Sequence, residues 1–277
     1  MGTLGSAPPV YERGELLADV LTTFRDPSYT PPVTPIVAME LLALARRPDA
    51  SFADIARVCE KDPMVAATVL RLAQSAYFSR GAPVASLKDA IVRIGVRTLA
   101  NLFLEATLTM RVFRAPGYDG AMVSLRRHSA MTAHVARGVA SHTALPSENA
   151  FVCGLLHDVG VAAAAYVVGA RVPHALAWPV ILDAHVEAGR TLCKAWRLPA
   201  EIEVVVGHHH VGRVGGSLHP GLCVVMVAEW IADSVGFSLE GERPRPRPDN
   251  ELRLLGIDDA TLDTVVADAR KIAARIG

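Results

Sequence analysis

Aromatic residues make up only 5% of the 277-residue chain, while 51% of it is hydrophobic overall. A core of that composition is built mainly from Ala, Val and Leu, which favours packed helices over a β-sandwich. Net charge is also missing: 28 Lys+Arg balance 28 Asp+Glu, so no global field draws the chain to nucleic acid or anionic lipid. The four cysteines, Cys59, Cys153, Cys193 and Cys223, lie far apart and form no C-x-x-C pair. That excludes a disulfide framework and a zinc ribbon and suits a reducing compartment. The longest uncharged apolar run, residues 159–170, is shorter than the ~20 residues that span a bilayer. No basic-then-apolar leader is present, so the expected location is cytoplasmic. Met1-Gly2 with Ser6 fits a myristoylation pattern, a match short enough to arise by chance. Internal repeats and alternating strand patterns are absent as well. None of the ten histidines precedes position 128, which confines any imidazole chemistry to the second half.

What remains reads as an all-α, two-lobed protein. Residues 1–31 form a leading helix and tether bracketed by prolines, with an amphipathic stretch at about 12–24. A first helical lobe over 32–115 shows helix starts at Ser51 with Asp54, at Asp62-Pro63 and at Ser86 with Asp89. The turn-rich segment Arg114-Ala-Pro-Gly-Tyr-Asp-Gly120 separates it from a second helical bundle over 120–239. Helices are expected there at about 121–143, 147–157, 161–170, 179–196, 199–210 and 219–236. The 240–250 loop alternates Pro with Arg and should be extended and solvated, its arginines serving solubility. A final helix at about 258–276, within a C-terminal segment 251–277, packs on the second bundle.

The histidines carry the chemistry. His157-Asp158 ends the apolar stretch Phe151-Val-Cys-Gly-Leu-Leu, with Gly160 following. Adjacent helical residues point about 100° apart, so both reach one ion only where a helix ends. Alone, the pair equally suits a buried histidine bonded to its neighbouring carboxylate. His128 upstream, His185 downstream, the run His208-His209-His210, and the acids Glu229 and Asp233 shift the reading. Imidazoles and carboxylates delivered from separate helices into one bundle interior suit a divalent Fe, Mn, Zn or Mg ion. Cys153 reads as a small hydrophobe, and Trp178, Trp196 and Trp230 as packing residues. His134, His142, His174 and His219 are expected at the surface or at caps.

The order His…His-Asp…His…His-His…acid resembles the HD superfamily of metal-dependent phosphohydrolases, and the full text is most similar to its HDOD branch, the HD-related output domain of bacterial signalling proteins. The resemblance covers about residues 32–236. It includes Asp62-Pro-Met-Val-Ala-Ala-Thr-Val-Leu-Arg-Leu-Ala-Gln-Ser-Ala76, Ser86-Leu-Lys-Asp-Ala-Ile91, Gly154-Leu-Leu-His-Asp-Val-Gly160, His185-Val-Glu-Ala-Gly189 and Trp196-Arg-Leu-Pro199. It implies first-ion ligands at His128, His157 and Asp158, a second set at His185 and two of His208, His209 and His210, taken as His208 and His209, and a last acidic ligand at Glu229 or Asp233. Asp183 or Glu187 could orient a ligating imidazole.

Two departures bear on activity. Related HD-GYP phosphodiesterases carry a lysine three residues after the aspartate, where this chain has Val161, and their Gly-Tyr-Pro motif is missing. Losing a preorganised cation removes charge stabilisation from phosphoryl chemistry. The resemblance therefore implies a signalling output module that binds a protein partner or a small ligand, with a divalent-metal site of low or no turnover; His157 and Asp158 are the catalytic candidates if turnover occurs. A metal-dependent nucleotide or cyclic-dinucleotide phosphohydrolase is the alternative. The third reading, a DNA-binding helix-turn-helix formed by residues 51–58 and the helix after Asp62-Pro63, has only a mild basic excess behind it. Nucleic acid and membrane are not expected partners, no organic cofactor is expected, and a homodimer is compatible with the chain.

Overall fold

The computed structural model describes residues 12–31, 36–47, 49–60, 69–70, 72–75, 78, 86–108, 114–169, 172–241 and 244–276. The expected helix start at Asp62-Pro63, most of the first-lobe motif that follows it and the myristoylation pattern lie outside those residues. The described chain is helical almost throughout: α1 (Arg13–Arg25), α2 (Ile36–Ala45), α3 (Phe52–Glu60), α4 (Leu87–Ile94), α5 (Val96–Thr107), α6 (Asp119–Ala140), α7 (Ser147–Leu156), α8 (Val159–Val168), α9 (His174–Ala195), α10 (Ala200–His208), α11 (Pro220–Ser234), α12 (Asp249–Leu255) and α13 (Asp259–Ile276).

Local chemistry explains several boundaries. Ser51 and Asp54 exchange hydrogen bonds at the start of α3, the Ser51 hydroxyl accepting from the Asp54 N–H at 3.2 Å and the Asp54 carboxylate accepting from the Ser51 N–H at 2.9 Å. The Ser86 hydroxyl accepts from the Asp89 N–H at 3.0 Å and starts α4. Three differences from the sequence expectation stand out. Helix α9 begins at His174, five residues before Pro179, because burial of Ala177 and Trp178 extends the helix through a residue that usually starts one. A two-residue antiparallel pair, β1 (Arg213–Val214) with β2 (Ser217–Leu218), closes a Gly215-Gly216 turn that sequence pattern alone left as loop. The chain after the Pro/Arg segment forms two helices instead of one, since Gly256 adopts a left-handed conformation, φ 68°, at the end of α12.

Packing centres on α6. One face joins α7, α8, α9, α10 and the first-lobe helices in a core that runs through both lobes, including Leu41, Ile91, Leu104, Phe151, Leu155 and Ile181. Its other face, with Met131, Val135 and Val139, meets α11, α12 and α13 in a second cluster. Helix α1 is not a free tether. It packs on α9, burying Leu16, Val20 and Phe24, and its arginines meet that helix through Arg13–Asp183 at 2.6 Å and Arg25–Glu187 at 3.8 Å. Residues 147–168, which join α7 to α8, are long and apolar enough to cross a membrane by length and composition, contrary to the sequence reading. Of an 18-residue window within them, 89% is buried in the fold, where α6 and α9 cover it.

Candidate metal centre

Five elements bring the site together. His128 lies in the middle of α6, His185 in α9 and Glu229 in α11. His157 and Asp158 occupy the break between α7 and α8, where Asp158 leaves helical geometry at φ −106°, ψ 14°. His209 and His210 follow the end of α10. Glycines allow these backbones to approach. A Cβ on Gly160 would sit 1.9 Å from the His185 carbonyl oxygen, and one on Gly154 would sit 2.8 Å from the Thr132 carbonyl oxygen. The apolar helices α7 and α8 can therefore press their His-Asp junction against α6 and α9.

The side chains form two adjoining groups that share Asp158: His128, His157, Asp158 and Glu229 in one, and Asp158, His185, His209 and His210 in the other, with the ligand-type atoms of each group within 4.8 Å of one another. In the first, Asp158 Oδ2 lies 3.6 Å from His128 Nε2 and 3.2 Å from His157 Nε2. Glu229 Oε1 is 3.5 Å from His157 Nε2. In the second, Asp158 Oδ1 lies 3.4 Å from His185 Nε2 and 3.2 Å from His209 Nε2. His210 Nε2 approaches His185 Nε2 at 2.9 Å. His128, His157, Asp158 and Glu229 are at most 1% exposed, whereas His210 is exposed at the mouth of the second group.

Backbone carbonyls orient the imidazoles. Nδ1 of His128 donates to the Phe237 oxygen at 2.6 Å, that of His157 to Gly154 at 2.7 Å and that of His209 to Val206 at 3.0 Å; His185 is held likewise by Leu182. With Nδ1 carrying the proton, Nε2 presents its lone pair to the centre, as a ligating histidine must. His128 and His157 then face each other Nε2 to Nε2 at 3.1 Å, an arrangement that needs a proton or a cation beside it. Both oxygens of Asp158 are buried and neither accepts a hydrogen bond of good geometry. An ionised carboxylate so placed requires positive charge. The donor set, imidazole nitrogen with two carboxylates, fits a borderline divalent ion such as Fe, Mn or Zn.

Without an ion, a proton takes that place. Burial alone would depress His157, but Asp158 and Glu229 beside it raise it to about 9. Burial works to raise Asp158, yet His157 and the other imidazoles hold it well below the usual carboxylate range. Burial, reinforced by the charge on His157, lowers His128 to about 4, and burial lowers His209 to about 4.

Of the residues expected at the site, His128, His157, Asp158, His185, His209 and Glu229 come together. His208 does not. It remains in the last turn of α10, where its Nδ1 turns back to the Val204 carbonyl at 3.0 Å, and His210 takes the place expected for it. Asp233, the competing acid, stands one turn beyond Glu229 and pairs with Arg245 at 2.6 Å. Asp183 and Glu187 pair with α1 arginines, so carbonyls, not those carboxylates, orient the ligand-type imidazoles. Of the histidines expected at the surface, His134 is half-buried with its ring edge-on to Phe151, and His174 stacks on Trp178. The sequence pattern predicts a solubility role for Arg245. The structure instead places its Nη2 2.6 Å from Glu229 Oε1, a contact no local pattern signals because the partners lie on different elements. Cys153 is absent from both groups, and burial pushes its thiol up to about 12.

Comparison with known proteins agrees with this architecture. A family model described as the HDOD domain matches residues 32–211. A solved structure from Shewanella amazonensis SB2B, named as a candidate metal-dependent phosphohydrolase, superposes with a TM-score of 0.71 at 19% identity, covering 96% of this chain and 99% of that one. An HDOD domain protein of unknown function from Geobacter sulfurreducens gives 0.69 at 22% identity, with 94% and 99% covered. An uncharacterised protein of Treponema pallidum (strain Nichols) is 27% identical over 230 residues, which are 77% of this chain and 43% of that protein, so the chain spans less than half of that relative. With the family model matching well over half its length, the chain belongs to the HDOD family.

Proposed function

We propose that this protein is a signalling output module of HDOD type whose buried histidine–carboxylate centre holds a divalent metal, and that it acts by binding a protein partner or small ligand with little or no turnover. The observation that carries the metal reading is Asp158: a fully buried carboxylate, without a well-formed hydrogen bond, among four imidazoles whose Nε2 atoms lie 3.2–3.6 Å away. His128, His157, Asp158 and Glu229 would hold one ion, and Asp158, His185, His209 and His210 a second. Bound there, a divalent ion would supply positive charge for a phosphoester oxygen. Val161 is buried and apolar, so position 161 offers no phosphate-facing cation, which supports weak or absent turnover.

Asp158 gives a second reading its footing. Its two oxygens face separate groups, an arrangement suited to two neighbouring ions acting on one phosphoester. That favours a metal-dependent phosphohydrolase as the alternative.

Elemental analysis of tag-free protein never exposed to chelator tests the metal reading. One or two equivalents of Fe, Mn or Zn are expected, lost in folded His157→Ala and Asp158→Ala variants. Metal-free wild type that takes up none of these ions would sink it. Multiple turnovers on a cyclic dinucleotide or nucleotide, abolished by His157→Ala, would replace the output reading with the hydrolase.

A further inference from the structure

The loop after α11 reaches back over the centre. Pro244, Pro246 and Pro248 flank two arginines there and hold the backbone extended. The loop is fastened at its start by Trp178 Nε1 donating to the Glu240 carbonyl at 2.7 Å. At its far end Arg247 pairs with Asp259 and with Asp249. Between these fastenings the Arg245 guanidinium forks, Nη2 to Glu229 Oε1 and Nη1 to Asp233 Oδ2, both at 2.6 Å. Its side chain retains 20% exposure, whereas Glu229 has 1%, so Arg245 bridges the sealed interior and solvent.

Glu229 Oε1 lies 3.5 Å from His157 Nε2 and 2.6 Å from Arg245 Nη2. A divalent ion drawn to this carboxylate comes close to a fixed guanidinium, and the like charges repel in a poorly solvated site. An oxyanion between ion and guanidinium would relieve that repulsion, and Arg is the side chain best matched to phosphate geometry.

We propose that Arg245 is an oxyanion-contacting residue at the mouth of the metal centre and makes the binding of a divalent ion and of a phosphate-type anion interdependent. The inference rests on the metal-centre reading. It also assigns the centre a ligand class, a phosphate monoester, diester or free phosphate. Because the two bindings are thermodynamically linked, each tightens the other by the same factor.

Titration of the metal-free 277-residue chain with Mn2+, following the free aqueous ion by its magnetic resonance signal with and without inorganic phosphate, tests this. In the wild type, phosphate should tighten Mn2+ binding about fivefold or more. Arg245→Gln should bind Mn2+ more tightly than wild type without phosphate and show no phosphate effect, while Arg247→Gln on the same loop should keep the wild-type effect. Asp233→Asn leaves the buried Glu229–Arg245 pair intact and removes a carboxylate charge that neutralises the guanidinium, so phosphate coupling should strengthen in it; this variant serves if Arg245→Gln fails to fold. Mn2+ binding indifferent to phosphate in the wild type, equal coupling in folded Arg245→Gln, or unchanged coupling in Asp233→Asn would each overturn the role of Arg245 while leaving the metal centre standing. Wild-type protein that binds no Mn2+ would remove both.

Discussion

At the scale of single residues, Gly160 shows how the centre depends on atoms that never touch it. The His185 carbonyl oxygen and the Gly189 nitrogen would lie 1.9 and 2.5 Å from a Cβ at this position, so one methyl group must drive α8 away from α9. Both approaching atoms are backbone, and no side-chain rotation relieves them. Gly160→Ala is expected to cost roughly 3 kcal/mol or more in urea unfolding and to reduce metal stoichiometry by shifting His185 from Asp158. Gly14→Ala, at an exposed α1 position with nothing within 4 Å, should be neutral or stabilising by up to about 1 kcal/mol. Equal stabilities for the two variants would contradict the packing argument. Residue legibility follows the same division. His157 and Asp158 could be read because they are adjacent and end an apolar run. Choosing between His208 and His210 required knowing where α10 stops, since one further residue turns a side chain by about 100°. Arg245 was invisible, because a Pro/Arg segment reads as solvated until its target, Glu229, is seen across the fold.

Helices are the next scale, and α1 carries the clearest consequence. Its amphipathic pattern was visible, but the surface it covers was not. Leu16, Val20 and Phe24 are at most 6% exposed, and the Thr191 hydroxyl on α9 donates to the Phe24 carbonyl at 3.2 Å. Burying three such side chains contributes on the order of 5 kcal/mol, a large share of the 5–15 kcal/mol typical of a whole domain. Removing residues 1–26 should therefore lower Tm by about 10 °C or more, or yield insoluble protein. A truncated protein with unchanged Tm would show that this segment is a detachable tether. Elsewhere, helix existence was legible from apolar spacing and caps, as at Ser51 and Ser86. Boundaries were lost where tertiary burial overrode local signals, as at Pro179, and the short α12, closed by the left-handed Gly256, had no local signal of its own.

For the whole molecule, the buried imidazoles link stability to pH. In metal-free protein, burial lowers His128 and His209 to about 4, so between pH 6.5 and 4 the unfolded chain binds more protons than the folded one and stability falls as the pH is lowered. His157, raised to about 9 by its carboxylate neighbours against the effect of burial, has the opposite sign. Its contribution is complete below pH 6.5 and disappears as pH rises through 9. Metal-free protein should accordingly melt highest near pH 6.5, with the steeper decline on the acid side, where His134, lowered by burial to about 4, and His210, lowered by burial to about 3, add to His128 and His209, while His157 alone acts on the alkaline side. A Tm constant from pH 4 to 9 would show that these histidines are not buried as described.

The sequence by itself determined an all-α protein, the confinement of its imidazole chemistry to the second half and the order of histidines and acids, because helix spacing, caps and motif order are local or linear properties. Only the tertiary structure decided that α1 belongs to the core, that Asp158 is shared by two groups, that His210 replaces His208 and that Arg245 caps Glu229. Each of those depends on which faces meet across the bundle, set by close backbone approach at Gly154 and Gly160 and by burial of apolar surface contributed from distant parts of the chain.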